Sequence, residues 1–262
     1  MSKKEEKALE ALSPTEQKVY SELYSRRVVN TDDVREILGE SHRSVDYITN
    51  LREKGYFQKI KKGVYVVVPP NLVGEDFNPD KFLVAGKVKD HYYISHHSAL
   101  ELHGVAQSTY NRVWITIKNP AKHFDYKSIS YRFVTTKYYF GITEINRQGT
   151  KIKVSDREKT FLDGIRMIKY SGGLEELMKS LNNFPSLDWK KLLDYLKRFE
   201  ENKLFQKSGF VLDNLELSVP RKVRKELSKE VSDRTYYLDE NRESHHVKEW
   251  NLMVPKNFEE LF

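Results

Sequence analysis

Cysteine is absent from all 262 residues. Its absence excludes disulfide bonds, thiolate nucleophiles, iron–sulfur clusters and zinc sites built on cysteine. Long apolar runs are also missing. The most apolar short stretch, residues 64–68, stops at Pro69, whereas a membrane-spanning helix needs about 20 apolar residues. The charged residues 1–7 have no apolar segment behind them, unlike a signal peptide. We therefore expect a cytoplasmic protein that makes no membrane contact.

Glycine-rich phosphate loops and the usual catalytic motifs are missing too. The chain has 12 glycines, and none of them is followed by serine. A nucleotidyltransferase needs a glycine-serine phosphate turn and paired aspartates for Mg²⁺. No P-loop, dinucleotide-binding fingerprint or nucleophile elbow occurs, and His96, His97 and His103 lack the spacing of a metal site. We expect no catalytic residue, no metal and no cofactor.

Positive charge is in excess and is concentrated in the middle of the chain. The formal net charge is +7, and residues 81–160 contain 14 basic but only six acidic side chains. This distribution favours a polyanionic partner, although a solvated lysine-rich surface is the alternative. Hydrophobic residues make up 39% of the chain, which is enough for a folded core. The length predicts two domains.

The first 70 residues carry three helix starts and a hairpin. Ser13, Asn30 and Ser41 are suitable N-cap residues, because their side chains can accept hydrogen bonds from free backbone amides. Two β-prone segments then flank Lys61-Lys62-Gly63. The order helix, helix, tight turn, helix, hairpin predicts a winged helix-turn-helix domain over residues 1–70. Such a domain presents its third helix to the DNA major groove.

The third helix and the hairpin tip supply the predicted contacts with DNA. Helical periodicity places Val45, Ile48 and Leu51 on the buried face, which leaves the polar side chains outward. Arginine can pair with guanine and asparagine with adenine, whereas the tip lysines suit backbone phosphate. The predicted DNA-binding residues are Ser41, His42, Arg43, Asp46, Asn50, Lys61 and Lys62. Because many winged-helix domains only contact other proteins, that alternative stays open.

A proline- and glycine-containing segment, residues 71–79, predicts a linker. Beyond it, residues 80–262 alternate between strand and helix signals and end in a helical part. In this second domain, Ser155 and Glu158 form a predicted capping box at the start of a helix. We therefore expect an α+β protein in which the N-terminal winged helix-turn-helix is followed by a larger mixed α/β domain.

Several motifs in the second domain resemble the AbiEi family of antitoxin-type transcriptional regulators. They are S-H-H-S-A-L-E-L-H-G at residues 95–104, Y-Y-F-G at 138–141, V-S-D-R-E-K-T-F-L-D at 154–163 with Gly172-Gly173 following, and Y-Y-L-D at 236–239 with W-N-L-M-V-P at 250–255. Each motif is modest, but their order and spacing together are fairly specific. The resemblance covers about residues 13–255.

The resemblance implies the antitoxin of a type IV toxin–antitoxin operon. Such a protein represses its own promoter by binding inverted repeats of double-stranded DNA, where two copies would fit, and counters a nucleotidyltransferase toxin through its C-terminal domain. Direct contact with the toxin is left open. The family's second domain also supplies basic surface to the DNA. Carried over by position, the residues implied are Lys118, Lys122, Arg132, Lys151 and Lys153.

A ligand-sensing regulator without a toxin partner is the alternative function. The 16 tyrosines of the chain suit a second domain that binds a small molecule, although tyrosine packing explains them as well. A pocket in that domain would favour this alternative.

Overall fold

The computed structural model describes residues 9–39, 43–239 and 243–261. Within these ranges the chain forms ten α-helices and three β-sheets, so the expected α+β class is confirmed. The helices are α1 (Pro14–Tyr24), α2 (Thr31–Leu38), α3 (Ser44–Glu53), α4 (Lys81–Ala85), α5 (His96–Leu102), α6 (Arg157–Arg166), α7 (Leu174–Asn182), α8 (Trp189–Phe199), α9 (Asn202–Asp213) and α10 (Arg221–Lys229). Short 3-10 turns lie at Pro70–Leu72, Ile168–Ser171 and Phe258–Leu261.

The strands of the three sheets follow one another in three groups along the chain. They are β1 (Val28–Asn30), β2 (Phe57–Lys61), β3 (Val64–Val67), β4 (Tyr92–Ile94), β5 (Arg112–Ile117), β6 (Phe124–Tyr126), β7 (Ile129–Thr135), β8 (Ile142–Arg147), β9 (Thr150–Ser155), β10 (Tyr236–Tyr237), β11 (Ser244–Val247) and β12 (Leu252–Pro255). The sheet orders are β1-β3-β2, β6-β7-β5-β4-β9-β8 and β10-β12-β11.

The described residues divide into two compact units. Unit 1 contains the residues up to Tyr92 together with Phe124–Tyr131 and Glu144–Ile152. Unit 2 contains Tyr93–His123, Arg132–Thr143 and the described residues from Lys153 onward. Unit 1 therefore continues past the predicted linker at residues 71–79 and takes in two later segments.

Helices α1 and α2 begin where the sequence predicts them. Ser13 accepts a hydrogen bond from the Glu16 amide, and the Glu16 carboxylate accepts one from the Ser13 amide. Asn30 and Asp33 make the same reciprocal pair at α2. Each box satisfies two backbone amides that the first helical turn leaves without partners.

The three-stranded sheet of unit 1 closes over the helices and shares their core. Strand β3 pairs antiparallel with both neighbours, Val66 opposite Val28 and Val67 opposite Phe57. The apolar core contains Leu12, Val19, Tyr20, Leu23, Val29, Val34, Ile48, Leu51, Tyr56, Phe57 and Val67. This core fixes the position of α3 in unit 1, because Ile48 and Leu51 belong to it.

Unit 2 contains a large apolar core built mainly by helices α6 to α10. Helix α6 begins one residue later than the sequence predicts, so the predicted capping box of Ser155 and Glu158 is wrong. Asp156 is the N-cap and accepts a hydrogen bond from the Lys159 amide. The Ser155 hydroxyl instead pairs with Thr160 at 2.7 Å. Glu158 accepts a hydrogen bond from the Asp188 amide.

Candidate nucleic-acid interface

Helix α3 is amphipathic, but its buried face differs by one residue from the sequence prediction. Ser44, Ile48 and Leu51 are buried, and their spacing of four and three residues matches one helical face. Val45 is 56% exposed, so its predicted inward position is wrong. The small hydroxyl side chain of Ser44 occupies the core position instead.

The exposed face of α3 carries the predicted base-reading residues that the structure describes. The N-cap of α3 is Arg43, without a side-chain capping hydrogen bond, so the predicted N-cap at Ser41 is wrong. Asp46 and Asn50 lie on the exposed side of the helix. A helix of this diameter fits the major groove, where arginine and asparagine can form bidentate hydrogen bonds with guanine and adenine. Ser41 and His42 lie outside the described residues.

Polar contacts hold α3 against α1. The Lys54 ammonium, at the C-cap of α3, lies 2.8 Å from the Glu16 carboxylate. Burial opposes ionisation of Glu16, but the hydrogen bonds from Lys54 and Ser13 outweigh it and lower the pKa of this carboxyl. The Tyr20 hydroxyl donates to the Val68 carbonyl at 2.7 Å. The Lys54–Glu16 pair therefore links the end of α3 to α1, and the Tyr20 hydrogen bond links α1 to the residue after β3.

The tip of the β2–β3 hairpin carries the two predicted lysines. Gly63 closes the tip with a φ of 77°, a left-handed conformation that glycine adopts without strain. Lys62 is exposed. The half-buried Lys61 ammonium lies 4.9 Å from the centre of the Phe124 ring. Burial lowers the pKa of Lys61, and repulsion from Lys89 acts in the same direction. Lys62 is therefore the better placed of the two for a phosphate contact.

The additional basic residues implied by the resemblance are not equally accessible. Lys118, Lys122 and Lys151 are exposed, whereas Arg132 and Lys153 are half-buried. The Lys118 ammonium lies 4.7 Å from the centre of the Tyr139 ring, and Lys151 lies 3.5 Å from the Glu144 carboxylate. The accessibility of the first three is compatible with a role at DNA phosphates.

The motifs that carry the family resemblance meet in the interior of unit 2. His103 Nε2 donates to the Ser155 carbonyl at 2.7 Å, which joins the first motif to the third. The Asp156 amide donates to the Gly141 carbonyl at 2.9 Å, which joins the third to the aromatic motif. His103 thus bonds to the backbone of another motif rather than to a metal-ligating side chain. These motif residues serve the fold of unit 2.

The third motif contains a buried ion pair that the sequence pattern does not predict. The Lys159 ammonium bonds to the Asp163 carboxylate and lies 3.2 Å from the Tyr93 hydroxyl. It also lies between 4.8 and 5.4 Å from the centres of three aromatic rings, those of Phe199, Phe140 and Tyr93. Burial lowers the pKa of Lys159, and Asp163 opposes that shift. The spacing of four residues was the available signal, but it gives no information on burial.

Two buried histidines have distinct environments. His97 is bonded through Nδ1 to Glu101 and through Nε2 to Glu176, at 3.2 and 3.1 Å. His96 has a φ of 51°, and burial lowers its pKa to about 4, so its imidazole is neutral at pH 7. Among the described residues, no group of three or more His, Asp or Glu side chains is arranged so that it could hold a metal ion.

Comparison with known proteins gives a structural similarity at low sequence identity. No family model and no curated protein matches the chain. The fold is similar to the crystal structure of the RV2827C protein from Mycobacterium tuberculosis, with a TM-score of 0.64 and 18% sequence identity. The alignment covers 95% of this chain and 94% of that chain. At this identity the similarity shows a shared fold alone. Among the described helices, none is long and apolar enough to cross a membrane.

Proposed function

We propose that the chain is a sequence-specific DNA-binding repressor whose residues 1–70 act as a winged helix-turn-helix. The observation that carries the proposal is the exposed polar face of α3, with Arg43, Asp46 and Asn50, which is followed in the chain by the basic tip at Lys61-Lys62. A third helix supplies base contacts in this class of domain, and the hairpin supplies phosphate contacts.

The order of the elements supports this assignment. Helices α1, α2 and α3 precede the β2–β3 hairpin, and β1 completes a three-stranded antiparallel sheet. The buried contacts of Ile48 and Leu51 hold α3 rigidly while its opposite side stays accessible. A rigid support favours readout of bases because little conformational entropy is lost on binding. An inverted-repeat operator would take two copies of the chain.

We further propose that the repressor is the antitoxin of a type IV toxin–antitoxin operon and counters a nucleotidyltransferase toxin. The support is the resemblance of the motifs in unit 2 to the AbiEi family. Hydrogen bonds from His103 to Ser155 and from Asp156 to Gly141 join three of these motifs within unit 2, as expected if the motifs belong to one fold. The surface that would act on the toxin would lie on unit 2, which contains these motifs.

A pair of cellular assays tests both parts of the proposal. The full chain should repress a reporter driven by its own upstream region and should restore growth when the nucleotidyltransferase of the same operon is expressed. The double variant Arg43→Ala with Lys62→Ala should lose repression and keep the growth rescue, while Lys18→Ala, an exposed lysine on α1, should keep both. No repression by the wild-type chain contradicts the repressor role, and no rescue contradicts the antitoxin role.

A groove in unit 2 favours ligand sensing as a second candidate function. Its volume is about 280 Å³. It is lined by Arg166, Met167, Ile168, Lys169, Lys203, Lys207, Tyr236, Tyr237, Leu238 and Asp239. Four basic side chains and two tyrosines suit a small aromatic anion. If a panel of nucleotides and aromatic acids leaves the melting temperature and DNA affinity of the full chain unchanged, this function is contradicted.

A further inference from the structure

We propose that Val45 and Thr49 read the 5-methyl group of thymine in the major groove. The inference rests on the proposed function and goes beyond it, because it assigns a base and two residues outside the predicted DNA-binding set. It begins from the one-residue shift of the buried face, which leaves a branched apolar side chain exposed in the first turn of α3.

Val45 does not belong to the apolar core of unit 1. Its side chain is 56% exposed, and it is one of three large apolar side chains exposed in the part of the chain that the structure describes. Valine is also a poorer helix former than alanine at an exposed position. A single exposed apolar residue is ordinary on a protein surface. A role for Val45 in recognition therefore depends on the residues next to it along the helix.

Thr49 follows Val45 by one helical turn and presents a second methyl group. The Thr49 hydroxyl donates to the Val45 carbonyl at 2.9 Å. This hydrogen bond turns the hydroxyl towards the helix backbone. The methyl group is therefore the branch of the Thr49 side chain that is left for contact with a base. Residues four apart lie on the same side of a helix. Two methyl-bearing side chains therefore form a short strip along α3.

The exposed half of α3 carries two strips of different chemistry. The first strip contains the exposed Val45, the half-buried Thr49 and the exposed Arg52. The neighbouring strip contains the exposed residues Asp46, Asn50 and Glu53. Among the base edges in the major groove, only thymine presents a methyl group. The first strip matches that group, and Arg52 adds a cation for a backbone phosphate.

Removing methyl groups from each partner tests the assignment directly. The full chain first selects its preferred duplex from a random-sequence pool, and each thymidine of that duplex is then replaced by deoxyuridine, which lacks only the methyl. Binding to every substituted duplex is titrated for wild type, Val45→Ala and Thr49→Ser. Thr49→Ser keeps the hydroxyl and removes only the methyl. Lys18→Ala truncates an exposed side chain on α1 and is the control.

Wild type should lose about fourfold in affinity per uracil at one or two positions, which corresponds to burial of one methyl group. At those positions Val45→Ala or Thr49→Ser should bind the thymine and uracil duplexes equally, while Lys18→Ala should discriminate like wild type. Equal discrimination by all four proteins, or none by wild type, overturns the inference and leaves the proposed function intact. Selection of no preferred duplex contradicts the proposed function itself.

Discussion

The Lys87 ammonium donates to both carboxylate oxygens of Asp33, at 2.9 and 3.0 Å. Arg26 bonds to the same carboxylate at 2.7 Å, and the Asn30 amide donates to it within the capping box of α2. Burial opposes ionisation of Asp33, but these hydrogen bonds and charges outweigh it and lower its pKa. Lys87 follows the predicted linker in sequence and packs within unit 1.

The Asp33 cluster should contribute to stability in a pH-dependent manner. Asp33→Asn should lower the free energy of unfolding by about 2 kcal/mol at pH 7, because it weakens charge-assisted hydrogen bonds at a buried site. The neighbouring Asp32→Asn is the control. Asp32 is 79% exposed in its pair with Arg35, so its loss should cost under about 0.5 kcal/mol. Urea unfolding of the two variants checks this prediction.

The pH dependence of the Asp33 effect has a definite sign. A carboxyl whose folded-state pKa is lowered stabilises the fold fully above its unfolded pKa, about 3.9, and loses that contribution as the pH falls through the folded value. The difference between wild type and Asp33→Asn should therefore be constant from pH 5 to 7 and shrink as the pH falls further. A difference that grows in acid would contradict the assigned ion pairs.

Gly209 should tolerate no side chain. A Cβ atom at this position of α9 would overlap the ring of Trp250, which is 1% exposed. Gly209→Ala should lower stability by about 1–3 kcal/mol, because overpacking a filled core forces neighbouring groups apart. Ser208→Ala is the control, since the buried Ser208 hydroxyl has no hydrogen-bond partner within the described residues. Thermal unfolding that places Gly209→Ala at or above Ser208→Ala would contradict the packing.

The Lys159–Asp163 pair should be far more sensitive than a surface pair of equal spacing. Asp163→Asn leaves a buried ammonium without its counter-charge and should cost about 3–5 kcal/mol. Glu175→Gln is the control, because Glu175 and Lys179 are four residues apart as well but are 57% and 38% exposed. Its cost should stay below about 0.5 kcal/mol. Similar unfolding midpoints for the two variants would contradict the burial of Lys159.

Arg43 and Lys62 should affect DNA binding in different ways. Arg43→Ala should reduce the preference for the selected duplex, by about 1–3 kcal/mol if its guanidinium pairs with guanine. Lys62→Ala should weaken binding to every duplex and reduce the slope of log affinity against log salt by about one. Titrations at several salt concentrations distinguish the two effects. The same change from both variants would contradict the assignment of base and phosphate contacts.

Local signals in the sequence predict much of unit 1, and the errors have physical causes. Ser13 and Asn30 are correctly identified as caps because capping depends on residues three apart. The inward position of Val45 is wrong because apolarity alone favours positions 45, 48 and 51, whereas the helix buries the small hydroxyl of Ser44 and exposes the valine. The exposed surface of α3 therefore includes a residue that the sequence pattern assigns to the core.

Long-range pairing could not be predicted from the sequence. Strand β4 lies beside β9 in parallel, with Ile94 opposite Val154, and nothing local to either strand encodes a partner sixty residues away. The burial of Lys159 has the same origin, since it depends on rings that come from distant segments, such as Phe199. The charge pattern alone predicts that Lys159 lies on the surface.

We propose that the chain recognises a DNA sequence, and a competitive titration tests this recognition most directly. The full chain is titrated on a labelled duplex from its own upstream region, against unlabelled duplexes of the same and of shuffled sequence, at 150 mM salt. We predict that the unshuffled competitor is at least about 1,000-fold more effective, the usual margin of specific binding. Equal competition by both duplexes would contradict the account.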